Sequence, residues 1–565
     1  MKSLIFTFLL GVGAIHGFAE EGKQSDTNSQ RHKISTAALK SIPIQEGGRV
    51  NPFDSFARET MMLVYGKGTY NKRPAHEVVM TWFLLPEAWM EKPIVQIKFK
   101  QLKETLKLAD GESYFKPSEL LSNDRCKLAF LELAGKQQER EKLDPYYQAV
   151  SRLQNQLGLF SSVTSGEVFR LLPVSEQDSW ASVGEPIFLN TVGAQFQDMA
   201  KAFINAISAG IAEDVSAEKV REIEAQLESA VGSFTKAAQS NASTKYPLEK
   251  EISLEVHYNS LDPFKWSWIF YLLGVMVLGA ASFTANKKVY QVAWLVTIAG
   301  FLLHTYGFGL RVYIAGRPPV TNMYETVVWV SWGGILFGMI IEAIYKQRFI
   351  LMCGGIGAVF CLILTSLAPS ILDPSISPLQ PVLVSNFWLL IHVLTITISY
   401  AAFLLAFVLG DIGLFYAIRD ELKYKEKLKN IANAIYRAEQ IGVVLIAAGI
   451  ILGGIWADYS WGRFWGWDPK ETWALIALLG YLALLHGRMA GWLGNWGMIA
   501  GAIAAFSLVI MAWYGVNFVL GAGLHSYGFG GGGLQYVASF VVAHFIYIIY
   551  ALIVRNRSSR KLGSI

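Results

Sequence analysis

The chain has 565 residues, of which 53% are hydrophobic and 16% charged, with a formal net charge of +5. Soluble domains average about 45–50% apolar and about 25% charged residues, so these figures exclude a disordered chain, a coiled coil and an ordinary cytosolic enzyme. The charges are unevenly placed: residues 264–565 carry 20 Lys and Arg against 11 Asp and Glu, whereas residues 1–263 carry 29 against 33. The chain thus divides into an acidic, water-soluble first part and a basic, membrane-embedded second part.

Residues 1–19 read as a signal sequence or anchor. Lys2 supplies a positive start, Leu4 to Ile15 is a short apolar run, and Gly17 and Ala19 are small residues at cleavage-type positions. Residues 20–263 form an extracytoplasmic soluble domain, mainly helical, whose role the sequence does not assign. A helix is expected to open at Asn51–Glu59, Pro93–Phe99 alternates like a strand, and Phe203–Ala238 has helical periodicity. His76 and His257 stand apart from other candidate ligands and read as incidental surface residues. Cys126, Cys353 and Cys361 fall in no CxxC or CxxCH spacing, which excludes a disulfide framework, a zinc knuckle and self-attached c-type haem. No basic patch with interleaved aromatics marks a nucleic-acid surface.

Residues 264–565 hold nine apolar stretches of about membrane-spanning length: near 266–285, 289–309, 325–344, 349–367, 387–410, 438–455, 473–486, 496–519 and 536–554. The fold class is therefore mainly α, a polytopic helical membrane protein with an amino-terminal soluble domain. Fifteen Lys and Arg fall in one set of loops and tails and four in the opposite set. The lysine- and arginine-rich side is the cytoplasmic one, so the soluble domain and the loops 310–324, 368–386, 456–472 and 520–535 face outward.

The external loop 456–472, with Trp473 just beyond it, is the most distinctive segment. Trp456, Trp461, Trp465, Trp467 and Trp473 place five indoles in 18 residues, together with Gly, Pro and Asp468. An interfacial belt spreads one or two Trp per helix end. This density suits a platform for a planar aromatic ligand, porphyrin being the natural candidate. His392, near the outer end of the fifth span, and His525, in the glycine-rich loop after the eighth, lie on the same side and are candidate axial haem ligands. His486 closes the seventh span on the cytoplasmic side, so it belongs to a second, deeper site if it binds haem. Arg463, Lys470, Arg311 and Arg317 are candidate propionate partners, with loop solvation as the plain alternative. Asp468 and Glu471 are expected to fix the loop by hydrogen bonds. His544 reads as structural, and His304 is left open.

The stretch Trp461-Gly-Arg-Phe-Trp465-Gly-Trp467-Asp468-Pro-Lys-Glu-Thr-Trp473 resembles the tryptophan-rich "WWD" signature of haem-handling proteins. It is most similar to the CcsA/ResC branch of cytochrome c synthases (system II). Asn386-Phe-Trp388 through His392 and Ser399-Tyr400 to Phe403 resemble the same branch. So do Val516-Asn517-Phe518 with Gly523-Leu524-His525, and Arg311 through Arg317 to Asn322 and Glu325. The resemblance covers roughly 265–555. It implies that His392 and His525 hold external haem b and that His486 belongs to an intramembrane haem site whose second ligand comes from a ResB/CcsB-like membrane protein.

It further implies a bacterial cytoplasmic (inner) membrane location with the haem chemistry on the periplasmic side. The substrate would be a CxxCH apocytochrome c, with a thiol-reducing protein as a possible further partner. The expected activity is that of the haem-handling component of a holocytochrome c synthase; catalytic residues stay unassigned, because the substrate brings its own thiols. A haem exporter or delivery module without ligation activity is the alternative. A transporter of another class would need paired intramembrane charges or broken helices, and the sequence offers neither convincingly.

Overall fold

The computed structural model describes residues 34–139, 143–174, 179–211, 215–242, 246–284, 286–318, 320–368, 371–377, 387–521 and 533–562. Residues 1–19, expected to be a signal sequence or anchor, Asn386 and His525 lie outside them. The chain separates into two compact units, Met1–Ser260 and Leu261–Ile565.

The amino-terminal unit is mainly helical, with four two-stranded antiparallel pairings among its described residues. Its first hairpin, β1 (Pro43–Glu46) and β2 (Arg49–Pro52), leads directly into α1 (Phe53–Val64). Pro52 is extended and Asp54 sits in the first turn, where a negative charge suits the helix N-terminus. Packed around α1 are α2 (Ala75–Leu84) and α3 (Pro145–Ser165), with Phe53, Phe56 and Phe169 forming an aromatic centre. The strand expected over 93–99 is reduced to Val95–Gln96, because Lys100 already opens the next helix. The helical region expected over 203–238 is two helices, α4 (Pro186–Ile211) and α5 (Ala217–Ser240), packed through Phe188, Phe196 and Phe234.

A buried polar network closes this unit. Arg49 donates to both carboxylate oxygens of Glu255 on α6 (Glu249–Leu261), at 2.9 and 2.6 Å. Ser55 donates to the same carboxylate, and Asn259 donates to Ser55 and Asp54. His76 corrects the sequence reading: it is buried, not a surface residue. Its Nε2 lies 3.0 Å from the Thr36 hydroxyl and its Nδ1 3.8 Å from Asp54. Burial pushes the imidazole down to about 4, and Lys40 adds to this against the opposing pull of Asp54.

The second unit is a helical bundle. Among the described residues, nine helical stretches are long and apolar enough to cross a membrane, so the chain is a multi-pass membrane protein. Its helices are α7 (Pro263–Thr284), α8 (Lys287–Ala315), α9 (Met323–Tyr345), α10 (Phe349–Leu367), α11 (Phe387–Asp420), α12 (Lys425–Trp461), α13 (Pro469–Met489), α14 (Asn495–Ile510) and α15 (Leu534–Leu562). From Met511 to Leu520 α14 continues as a π-helix. Glycines set the close approaches, as expected where apolar lipid gives helices no hydrophobic reason to associate. A Cβ on Gly354 of α10 would meet the Gly338 Cα of α9 at 3.3 Å.

Candidate functional site

The pairing of α11 with α12 builds the site. Gly442, Gly449 and Gly453 line one face of α12, and Phe403, Ile396 and His392 of α11 fill the space above them. The His392 Nδ1 lies 2.7 Å from the Gly449 carbonyl oxygen. A carbonyl can only accept, so Nδ1 carries the proton and the ring's lone pair is on Nε2, the arrangement a metal ligand needs. A Cβ on Gly453 would sit 2.6 Å from His392 Cε1, so only glycine leaves room for the ring in this position. The next residue, Gly454, receives the Phe464 ring of the tryptophan segment. His392 and that segment thus meet on adjacent residues of one helix.

The tryptophan segment differs from the sequence expectation in its boundaries. Nothing in Ala457-Asp458-Tyr459-Ser460 breaks a helix, so α12 continues to Trp461 and stops where Gly462 takes φ +68°. The next helix starts at Asp468-Pro469, with Asp468 as N-cap and Glu471 completing a capping box. The connection is therefore Gly462–Asp468, and Trp456 and Trp461 belong to α12. The indoles do not share one plane. Trp456 is buried and meets Trp461 at 67°, while Trp465 and Trp467 cross at 90°. Edge-to-face contact is the arrangement the ring quadrupoles favour. Trp461, Trp465 and Trp473 are half-buried, whereas Trp467 is 70% exposed on a left-handed backbone (φ +56°), a strained conformation for a bulky residue.

Charged residues hold this shape. Glu471 accepts from the Gly466 and Asp468 amides at 2.8 and 3.2 Å and pairs with Arg463 at 3.1 Å. The Arg463 guanidinium lies over Gly466, in the space a Cβ there would take. Lys470 donates to Asn517 Oδ1 at 3.0 Å, joining the start of α13 to the π-helical stretch. Asn517 also donates to the Trp513 carbonyl and contacts Met323 at the start of α9.

Arg311 and Arg317 form a separate cluster. Both pair with Glu325, at 2.9 and 3.0 Å, and Arg317 also donates to Thr321. Arg311, with a side chain 1% exposed, donates to the Pro374 and Ser375 carbonyls, and Arg317 to that of Ser377. Their geometry is that of a clamp on the segment 371–377.

The other histidines divide clearly. His486 is exposed on the outer face of α13, with Nδ1 2.7 Å from the Leu482 carbonyl. At 1.5 Å per residue it stands about 25 Å along α13 from Pro469 and cannot join the tryptophan segment. His304 is fully buried, bonded to the Tyr271 hydroxyl at 3.1 Å and stacked on Phe308. His544 lies 3.5 Å from Asp411. That pair, the Arg311–Glu325 pair and the lone acid Glu439 of α12 were missed in the sequence reading. Each is a polar residue in or beside an apolar run, which was the available signal.

The fold and site together define a polytopic membrane protein with an aromatic segment between two helices and a histidine locked beside it. A family model described as cytochrome C assembly protein matches residues 320–525. CcsA, a cytochrome c biogenesis protein of Prochlorococcus marinus, is 33% identical over 293 residues, covering 46% of this chain and 92% of that protein. CcsA of Pyropia yezoensis is 32% identical over 320 residues, covering 49% of this chain and 99% of that protein. The chain belongs to the CcsA family of cytochrome c biogenesis proteins. Protein NrfI of Wolinella succinogenes is 29% identical over 518 residues, covering 85% of this chain. That share exceeds the membrane unit, so the likeness extends into the amino-terminal unit. The chain spans about half of NrfI, 53% of its length.

Proposed function

We propose that this protein works in cytochrome c biogenesis, binding haem b as substrate at its tryptophan segment and presenting it for thioether attachment to a CxxCH apocytochrome c. The observation that carries this reading is the His392–Gly449 bond. It prepares one imidazole as an iron ligand on the turn of α12 that also receives Phe464 of the tryptophan segment. His525, implied by the family resemblance, supplies the opposite ligand. Trp461, Trp465, Trp467 and Trp473 contact the porphyrin edge and faces, with Trp456 and Asp468 supporting them from inside the fold. Arg463 and Lys470 are the cations of this segment available to exchange their present partners for propionates.

Because the substrate brings its own thiols, the protein's contribution is to fix the ring and leave the vinyl edges reachable. The chemistry takes place on the periplasmic side of the bacterial inner membrane. His486 faces outward from α13, which fits a second haem site completed by a ResB/CcsB-like partner. A haem exporter or delivery module would use the same outer site without needing His486.

The test is the absorbance spectrum of purified protein, with and without that partner. His392→Ala and His525→Ala should each lose haem at the outer site and stop c-type cytochrome assembly. Unchanged haem and assembly in both variants would overturn the ligand assignment. Loss of assembly on His486→Ala with outer haem retained would separate synthesis from simple delivery.

A further inference from the structure

Glu439 of α12 is a carboxyl group inside the membrane bundle with no exposed surface, and neither of its oxygens has a hydrogen-bond partner. The Tyr481 hydroxyl of α13 is likewise fully buried and unpartnered. Two orphaned polar groups in one bundle call for an explanation, because buried polar atoms are almost always satisfied.

Their neighbourhood brings them together. Phe403 of α11 covers Gly442 on one side and stacks on Tyr481 on the other, its ring 3.7 Å from the tyrosine ring at 10°. Glu439 is three residues before Gly442 and shares its face of α12. Glu439 and Tyr481 lie close enough that a charge on one would act on the other. Val443, Ile446, Ala477 and Leu485 make most of the surroundings apolar, and Tyr400 and Tyr436 are the other hydroxyl-bearing side chains of this cluster. Arg437, the nearest cation on the same helix, is engaged by Gln440 on the exposed side. No lysine or arginine pairs with Glu439 among the described residues.

We propose that Glu439 and Tyr481 form an intramembrane proton-binding site. Glu439 is carried as the neutral acid and is bridged to the Tyr481 hydroxyl through one water. An isolated carboxylate in such surroundings neutralises rather than remain charged. A neutral acid is one donor plus acceptor capacity, as is a phenol, so one water between them can satisfy both groups. The site is distinct from the outer haem site: Glu439 lies ten residues, about 15 Å along α12, from the carbonyl that orients His392. It lies nearer the polar cluster of Asn433, Arg488 and Asn495, whose Asn433 is six residues back along the same helix.

The test is infrared spectroscopy of the full-length protein in lipid nanodiscs at neutral pH. The wild type should show the C=O stretch of a neutral carboxylic acid. Glu439→Gln, nearly isosteric, should lose that band, Tyr481→Phe should shift it, and Asp411→Asn should leave it in place. No acid band in the wild type, or the same band in Glu439→Gln, would overturn the site. Should Glu439→Gln fail to accumulate, Tyr481→Phe decides: an unmoved band rules out the pairing.

Discussion

The His392 imidazole and the Gly449 carbonyl, 2.7 Å apart, join α11 to α12 and fix which ring nitrogen carries the lone pair. The bond depends on the next glycine along the same face, because the ring lies over Gly453. Gly453→Ala therefore leaves the ligand residue intact and displaces it. Loss of such an orienting contact costs about 10–100-fold in metal affinity, so haem titration of the purified variant should show a weakening of that order. Helix content by circular dichroism should be unchanged. Wild-type affinity in Gly453→Ala would show that the orientation of His392 does not matter.

The Arg311–Glu325–Arg317 cluster makes a separate prediction. Glu325→Gln leaves two largely buried guanidinium groups without their counter-charge. Breaking a buried pair by removing one partner costs about 3–5 kcal/mol. Thermal unfolding of the variant in detergent should fall accordingly. Because Arg311 and Arg317 hold the 374, 375 and 377 carbonyls, protease cleavage within 371–377 should accelerate.

What the sequence made legible follows from what each feature depends on. Nine spans could be read because each needs only about 20 consecutive apolar residues. The start of α13 was equally local, since Asp468, Pro469 and Glu471 together write an N-terminus. The end of α12 was not: polarity at Asp458 and Ser460 looks like a loop but costs a helix little, so Trp456 and Trp461 were assigned to the wrong element. His76 was misread because its partners, Thr36 and Asp54, are brought to it by tertiary packing across 40 and 22 residues. The left-handed backbone at Trp467 had no signal at all, since nothing in Trp-Gly-Trp-Asp requires it.

His76 gives the amino-terminal unit a pH dependence whose sign is fixed. Its folded value, about 4, lies below the ordinary 6.5, so between those limits the unfolded chain binds the extra proton. The stabilisation is complete above pH 6.5 and is lost as the pH falls toward 4. The gap corresponds to about 3 kcal/mol at 1.36 kcal/mol per unit. Hydrogen exchange of the α1 and α2 amides in the full-length protein should quicken over this window. His76→Gln should flatten the profile even if it lowers stability throughout. An unchanged slope would mean that another group controls the acid response.

The two acids that frame the tryptophan segment act on different amides, which separates their roles. Asp468 accepts from the Lys470 amide, whereas Glu471 accepts from Gly466 and Asp468 and neutralises Arg463. Asp468→Ala should release the Lys470 amide to faster hydrogen exchange and cost about 1 kcal/mol, the usual value of a lost N-cap. Glu471→Ala should instead release Gly466 and Asp468 and leave Arg463 without its carboxylate, so its effect on the segment should be larger. If haem binding needs the strained presentation of Trp467, Glu471→Ala weakens it more than Asp468→Ala, because Gly466 and Asp468 are the residues on either side of that indole. Equal haem affinity in the two variants, with the exchange pattern altered as described, would show that the backbone of Trp467 contributes nothing to binding.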